Sequence, residues 1–242
     1  MSEDIGTADR VEVLSDGSFR IDGGMLVYGV MKYYGRKIKA ELKPLYIETG
    51  DERIIVDTGI GELPEKLSGI YEVEKDRDLP SSLKDIGVFP EDITMVINTH
   101  LHFDHTGYNN LFRSARFIAQ EEEVRYAASP DRFQKGGYFQ PNLSKTRFSP
   151  VVGETEVAPG VTVIPTPGHT PGHQSVLVEM EDELVIYTGD VSPLKINHDK
   201  KYIVGVLYDP VAALRSLELL DRLSTWWPDK RKRFVYSHDG EG

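Results

Sequence analysis

The sequence predicts an α/β fold in a single domain, residues 1–242, built as two packed β-sheets with helices outside. Three observations predict it. Short β-branched and aromatic runs come in two successive groups, and each group is followed by helical patterning. The strict strand–helix–strand alternation of a doubly wound sheet is missing, so sheet packed on sheet is the simplest layer solution. A length of 242 residues with 39% hydrophobic content supplies one substantial core.

The elements follow from residue type and spacing. Val11–Leu14, Phe19–Asp22, Met25–Met31, Leu45–Thr49 and Arg53–Asp57 read as strands, separated by Ser-Asp-Gly, Asp-Gly-Gly and Gly-Asp turns. A short helix is expected over Ser81–Ile86, opened by Ser81 or Ser82. Ile93–Asn98 is a β-rich run that leads directly into Thr-His-Leu-His-Phe-Asp-His. Arg116–Ala119 is another strand, and Gln120–Ala128 is helical. Residues 129–150, rich in Pro, Gly, Asn and aromatics, read as a loop that forms a lid or an interface arm. Val161–Pro165, Ser175–Met180 and Leu184–Thr188 are the later strands. Asp209 and Pro210 then open the clearest helix, with Asp as N-cap and Pro in the first turn. Val211, Leu214, Leu217, Leu220 and Leu223 give it one apolar face. The last strand, Arg233–Ser237, runs into His238, and the chain stops four residues later.

Composition narrows the function classes. Against 28 Lys and Arg stand 39 Asp and Glu, a formal charge of −11, which gives no counterion-release surface and no expectation of a nucleic-acid partner. The absence of cysteine excludes disulfides, thiol nucleophiles, iron–sulfur clusters and cysteine-ligated zinc. The N-terminal segment is acidic and lacks the layout of a secretory signal, and no apolar run is long enough to cross a bilayer. A soluble cytoplasmic protein with no membrane partner is the expectation.

Five of the seven histidines and two aspartates fall at strand ends or in the tight loops after them. In an extended segment residues two apart face the same way, so His100 and His102 address one point. Asp104 and His105 lie beyond, where a turn swings them to a second point. His169 follows the Val161–Pro165 strand, Asp190 closes the Leu184–Thr188 strand, and His238 ends the last. Loops held by rigid sheet are where functional residues belong, and a cluster of this density points to a metal held by nitrogen and oxygen. His173 reads as a histidine tying its loop down, and Asp57 as a buried or turn-capping carboxylate rather than a ligand.

The His-Leu-His-Phe-Asp-His segment at 100–105, with His169, Asp190 and His238 following after 64, 21 and 48 residues, resembles the metallo-β-lactamase superfamily. The Ile55–Gly59 segment, Pro-Gly-His-Thr-Pro-Gly-His at 167–173 and Thr188-Gly189-Asp190 extend the resemblance over nearly the whole chain. It implies a four-layer αββα sandwich and a centre of two divalent metal ions. Zinc is the first choice, with iron, manganese or cobalt also suited to the ligand set. By the same resemblance His100, His102 and His169 hold one metal, Asp104, His105 and His238 the other, and Asp190 bridges. The implied reaction is hydrolysis of a small-molecule lactone, ester or phosphotriester by a metal-bound hydroxide, with Asp104 also orienting it or shuttling its proton.

Within that superfamily the chain is most similar to the branch of quorum-quenching acyl-homoserine lactonases and methyl-parathion-type hydrolases. Lactonases of this type carry a substrate-contacting tyrosine three residues after the bridging aspartate; this chain has Pro193 there, so another donor is expected, with His198, Tyr202 and Tyr28 as candidate substrate contacts. The alternative from another class is an oxidoreductase resembling the mononuclear-iron persulfide dioxygenases, which use the first metal's ligands. Family analogy also suggests a homodimer through the 129–150 arm, and similar proteins often continue past the last histidine ligand.

Overall fold

A computed structural model describes residues 6–240. The strands are β1 (Arg10–Val13), β2 (Ser18–Asp22), β3 (Lys37–Glu41), β4 (Leu45–Thr49), β5 (Glu52–Val56), β6 (Met95–Ile97), β7 (Arg116–Ile118), β8 (Thr155–Ala158), β9 (Val161–Pro165), β10 (Gln174–Glu179), β11 (Glu183–Tyr187) and β12 (Arg231–Val235). The helices are α1 (Gly23–Leu26), α2 (Glu65–Tyr71), α3 (Leu79–Asp85), α4 (Glu121–Ala128), α5 (Gln140–Leu143), α6 (Lys195–Lys200) and α7 (Pro210–Thr225). One sheet runs β1-β4-β5-β6-β7 and the other β12-β11-β10-β9-β8, with β2-β3 as a separate hairpin.

The period-two pattern of the strands assigns each face. Leu45, Ile47, Ile54, Val56, Met95 and Ile97 meet Val163, Val176, Val178, Val185 and Tyr187 between the sheets. Their neighbours Tyr46, Ile55 and Val96 face outward onto Leu79 and Leu83 of α3. On the second sheet Leu177, Leu184 and Ile186 face Leu217, Leu220 and Leu223 of α7. Because both faces of each central strand are buried, these strands read as continuous apolar runs. The result is helix, sheet, sheet, helix: the αββα sandwich that the resemblance implies.

Several local expectations are corrected. The stretch Met25–Met31 is not a strand. Asp22 accepts hydrogen bonds from Gly24 N at 2.8 Å and Gly35 N at 2.7 Å, turning the chain into α1 and a loop. The partner that β2 needs is supplied by β3, which the sequence reading left out, in the register Asp22↔Lys37 to Ser18↔Glu41. The edge strand β8 and the helix α2 were likewise not anticipated. His198, expected in a polar loop, lies on α6. The 129–150 arm holds a 3-10 turn at Lys135–Gly137 and the short α5, and it packs on its own domain through Tyr138 and Leu143 against Leu101 and Ala127.

Candidate metal centre

The loop after β6 is bent back on itself by its own polar side chains. Asn98 Nδ2 donates to His105 O at 3.0 Å, and Thr106 Oγ1 donates to His102 O at 3.0 Å. This fold places His100, His102 and His105 on one side of the loop. The β9–β10 turn brings in His169, the turn after β11 brings Asp190, and the residue run after β12 brings His238. All of these are buried or nearly so.

Three ligand sets result: His100, His102 and His169; His100, His105 and Asp190; Asp104, His105 and His238. Within each, the donor atoms lie within 4.8 Å of one another. His100 Nε2 is 3.1 Å from His102 Nδ1 and 3.2 Å from His169 Nε2, and the last two are 3.0 Å apart. A tetrahedral zinc shell with bonds of about 2.0–2.1 Å has donor–donor edges of roughly 3.3 Å, close to these spacings. Asp190 lies between the two halves, with Oδ2 3.5 Å from His169 Nε2 and Oδ1 3.3 Å from both His105 Nε2 and His238 Nε2. Asp104 Oδ2 is 3.5 Å from His238 Nε2 and 3.8 Å from His105 Nε2.

Hydrogen bonds on the far side of the rings fix which nitrogen faces inward. His169 Nδ1–H donates to Val206 O at 2.7 Å and His238 Nδ1–H to Glu41 O at 2.8 Å. His105 Nδ1 bonds Asp57 at 2.7 Å. Carbonyl acceptors require a protonated Nδ1, so His169 and His238 turn bare Nε2 lone pairs inward in their neutral forms. His105 Nε2 and His238 Nε2 are buried without a hydrogen-bond partner. Unpaired buried nitrogens are costly, and two of them aimed at one point beside Asp104 and Asp190 fit a cation that displaces any proton they carry.

The electrostatics agree. Burial holds the His100 and His102 pKa values well below the ordinary imidazole value, which leaves them neutral donors. Burial also acts to lower His105, but Asp57, Asp190 and Asp104 win and hold it well above. For Asp190 burial acts to raise the pKa, yet His238 and His105 hold it well below the carboxylate range. These carboxylates and inward nitrogens concentrate charge where cations would offset it.

Residues outside the ligand sets hold them in place. Asp57 takes four hydrogen bonds: Thr99 N at 2.8 Å, Thr99 Oγ1 at 2.8 Å, His105 Nδ1, and Tyr187 OH at 3.3 Å. His173 accepts from Asp190 N at 2.9 Å and also contacts Thr166 Oγ1, and burial pushes its pKa down to about 3. Ser237 Oγ donates to Asp190 Oδ1 at 2.7 Å. Two supports were missed by the sequence reading. Glu123 on α4 is fully buried and ties the 100–105 loop to the 167–173 loop; its signal was the i, i+4 alignment with Ala127 on the inward helix face. Gln134 of the arm donates to His169 O at 2.8 Å, and nothing in the sequence marks it.

The centre forms the floor of a cavity of about 210 Å³ walled by Phe19, Met25, Leu26, Phe133, Val204 and Val206, among others. The candidate substrate contacts are placed differently. His198 is occupied by Tyr236 OH at 3.0 Å and Asp221 Oδ1 at 2.9 Å, away from this cavity. Tyr202 packs behind the wall with Leu26 and Val27. Tyr28 lines an adjoining cleft that shares Met25, Phe133, Gln134 and Val206 with the cavity.

Comparison with known proteins agrees with this geometry. Residues 45–238 match the family model of the metallo-beta-lactamase superfamily. An N-acyl homoserine lactonase from Bacillus cereus is 36% identical over 210 residues, covering 81% of this chain and 80% of the relative. Another N-acyl homoserine lactonase, from Rhizobium radiobacter, is 31% identical over 180 residues, covering 69% and 66%. Among solved structures, an N-acyl homoserine lactone hydrolase with the product N-hexanoyl-L-homoserine bound at its catalytic metal centre superposes with a TM-score of 0.84 at 27% identity, covering 97% of this chain and 95% of the other. Fold, ligand pattern and sequence therefore converge: the chain belongs to the metallo-beta-lactamase superfamily.

Proposed function

We propose that this protein is a dinuclear metal-dependent hydrolase that opens lactones, with N-acyl homoserine lactones as the leading substrates and quorum quenching as the consequence. The observation that carries the reading is the pair of adjacent donor sets with Asp190 between them, within 3.3–3.5 Å of His105, His169 and His238, on the floor of an apolar-walled cavity. His100, His102 and His169 would hold one ion, Asp104, His105 and His238 the other, with Asp190 between them. Bound there, two divalent ions, zinc first, supply a Lewis acid for the carbonyl and lower the pKa of water to about 7.

The chain's own residues supply the rest. Asp104, partly exposed at the cavity floor, would take the proton of the attacking water and orient that water. Glu123, Asp57 and His173 fix the loops that carry the donors, so no reorganisation is needed as charge develops. The apolar walls suit an acyl chain and exclude bulk water from the ester bond. The one-iron oxidoreductase is disfavoured, because the Asp104, His105 and His238 set has no task in a mononuclear centre and the matched relatives are lactonases. The reading includes a cytoplasmic setting and pairing of two copies through the arm; among the described residues no helix is long and apolar enough to cross a membrane.

Metal analysis with a pH-stat assay tests the proposal. Two metal ions per chain and acid release from N-acyl homoserine lactones, stopped by EDTA and restored by zinc, are expected. One iron per chain with oxygen uptake would overturn it.

A further inference from the structure

The hydrogen-bond donor expected three residues after Asp190 is absent, and the structure shows what occupies that place. Pro193 accepts His238 N at 2.9 Å through its carbonyl and is not part of the cavity wall. Two phenols close to the centre are already committed: Tyr138 OH donates to Glu123 at 3.1 Å and Tyr187 OH to Asp57 at 3.3 Å. Among the described residues, Tyr71 is the one tyrosine that lines the cavity itself. Its ring packs on Phe103 at 5.0 Å and edge-on to Phe19 at 6.1 Å, and Phe19 in turn packs edge-on to His238 at 5.6 Å. This places Tyr71 on the Asp104 and His238 side of the centre, and its hydroxyl makes no hydrogen bond with another described residue. Burial, then the charge of Asp104, keeps the phenol protonated.

We propose that Tyr71 donates the proton to the leaving oxygen of the substrate, an assignment that rests on the lactone-hydrolase reading. The attacking water forms a bond to the carbonyl carbon and gives its proton to Asp104. The ring C–O bond then breaks with its electron pair on the ring oxygen, and the Tyr71 hydroxyl passes its proton to that oxygen. The proton held by Asp104 returns to the phenolate, so lactone and water become the ring-opened hydroxy acid with nothing left over. A rigid aromatic wall holds the donor in place, so the ring stays packed when only its hydroxyl is removed.

The experiment compares metal-loaded wild type and Tyr71→Phe on N-hexanoyl homoserine lactone and on the matching thiolactone. An alkoxide needs the proton, whereas a thiolate, with an ordinary thiol pKa near 8.5, leaves without it. The expected result is a fall in kcat of about 10²-fold on the lactone, with the thiolactone rate nearly unchanged and metal content equal to wild type. Calorimetry should show the ring-opened product binding Tyr71→Phe about 3- to 10-fold more weakly, the loss of one hydrogen bond. Equal losses on both substrates, or no loss on the lactone, would overturn the proposal. A wild-type enzyme with two metals that opens neither substrate instead overturns the lactonase reading; an alkyl ester compared with its p-nitrophenyl analogue then decides the role of Tyr71 separately.

Discussion

Replacing Glu123 tests whether the two metal-binding loops are held by one buried carboxylate. Glu123 Oε1 accepts Leu101 N at 2.9 Å and Tyr138 OH at 3.1 Å, while Oε2 accepts Thr170 Oγ1 at 2.6 Å and Gly172 N at 3.1 Å. Leu101 sits between His100 and His102, and Thr170 follows His169. Glu123→Ala strands two buried backbone N–H groups at about 1–3 kcal/mol each, before any cost for the cavity. The expected loss is therefore about 2–6 kcal/mol. Glu123→Gln keeps one acceptor oxygen, and the Thr170 hydroxyl can turn to accept from the new amide. One backbone N–H then faces an NH₂ group, so the loss should be about 1–3 kcal/mol. Urea unfolding in EDTA measures both, at constant m.

The pH dependence of the same pair is a second reading of that site. Burial raises the Glu123 pKa above its usual 4.5 despite the four hydrogen bonds. A carboxyl that binds its proton more tightly when folded loses stability as pH rises from 4.5 through its folded value. Glutamine does not titrate, so the advantage of wild type over Glu123→Gln should shrink across that window. If Glu123→Ala lies within 1 kcal/mol of wild type, or Glu123→Gln is as unstable as Glu123→Ala, the staple argument is wrong.

Asp57→Asn tolerates the backbone at φ 56°, since asparagine enters the left-handed region readily, but it loses the carboxylate that fixes the His105 ring; metal titration should show a 10- to 100-fold weaker site with little change in far-UV circular dichroism. Gly137→Ala would put a Cβ 2.5–2.6 Å from the His102 ring, so the arm must move and lactone turnover should drop while the melting temperature in EDTA changes little. Leu217→Ala, on the fully buried face of α7 against the second sheet, should cost about 2–5 kcal/mol in urea unfolding and leave kcat per folded enzyme unchanged. Stripping the metals should lower the melting temperature, because ligands that bind only the folded state stabilise it by RT ln(1 + [L]/Kd).

The sequence alone determined the layers and the seven candidate ligands. Strand alternation is local, so Tyr46, Ile55 and Val96 could be set against Leu45, Ile54 and Met95 from residue spacing, and the α7 stripe announced its own face. The cluster at 100–105 was legible because its members are adjacent, and the strand-end positions of His169, Asp190 and His238 because strands end at turns. Only the tertiary structure decided the rest. The strand β3 has charged residues on one face and is defined by pairing with β2, and Met25–Met31 lost its strand character to capping by Asp22. Glu123, Gln134 and Tyr71 acquire their tasks from groups 15 to 49 residues away in sequence, or from a cavity wall assembled by distant segments. A hydrogen bond or a cavity is a relation between distant atoms, and such relations exist only once the chain has closed on itself.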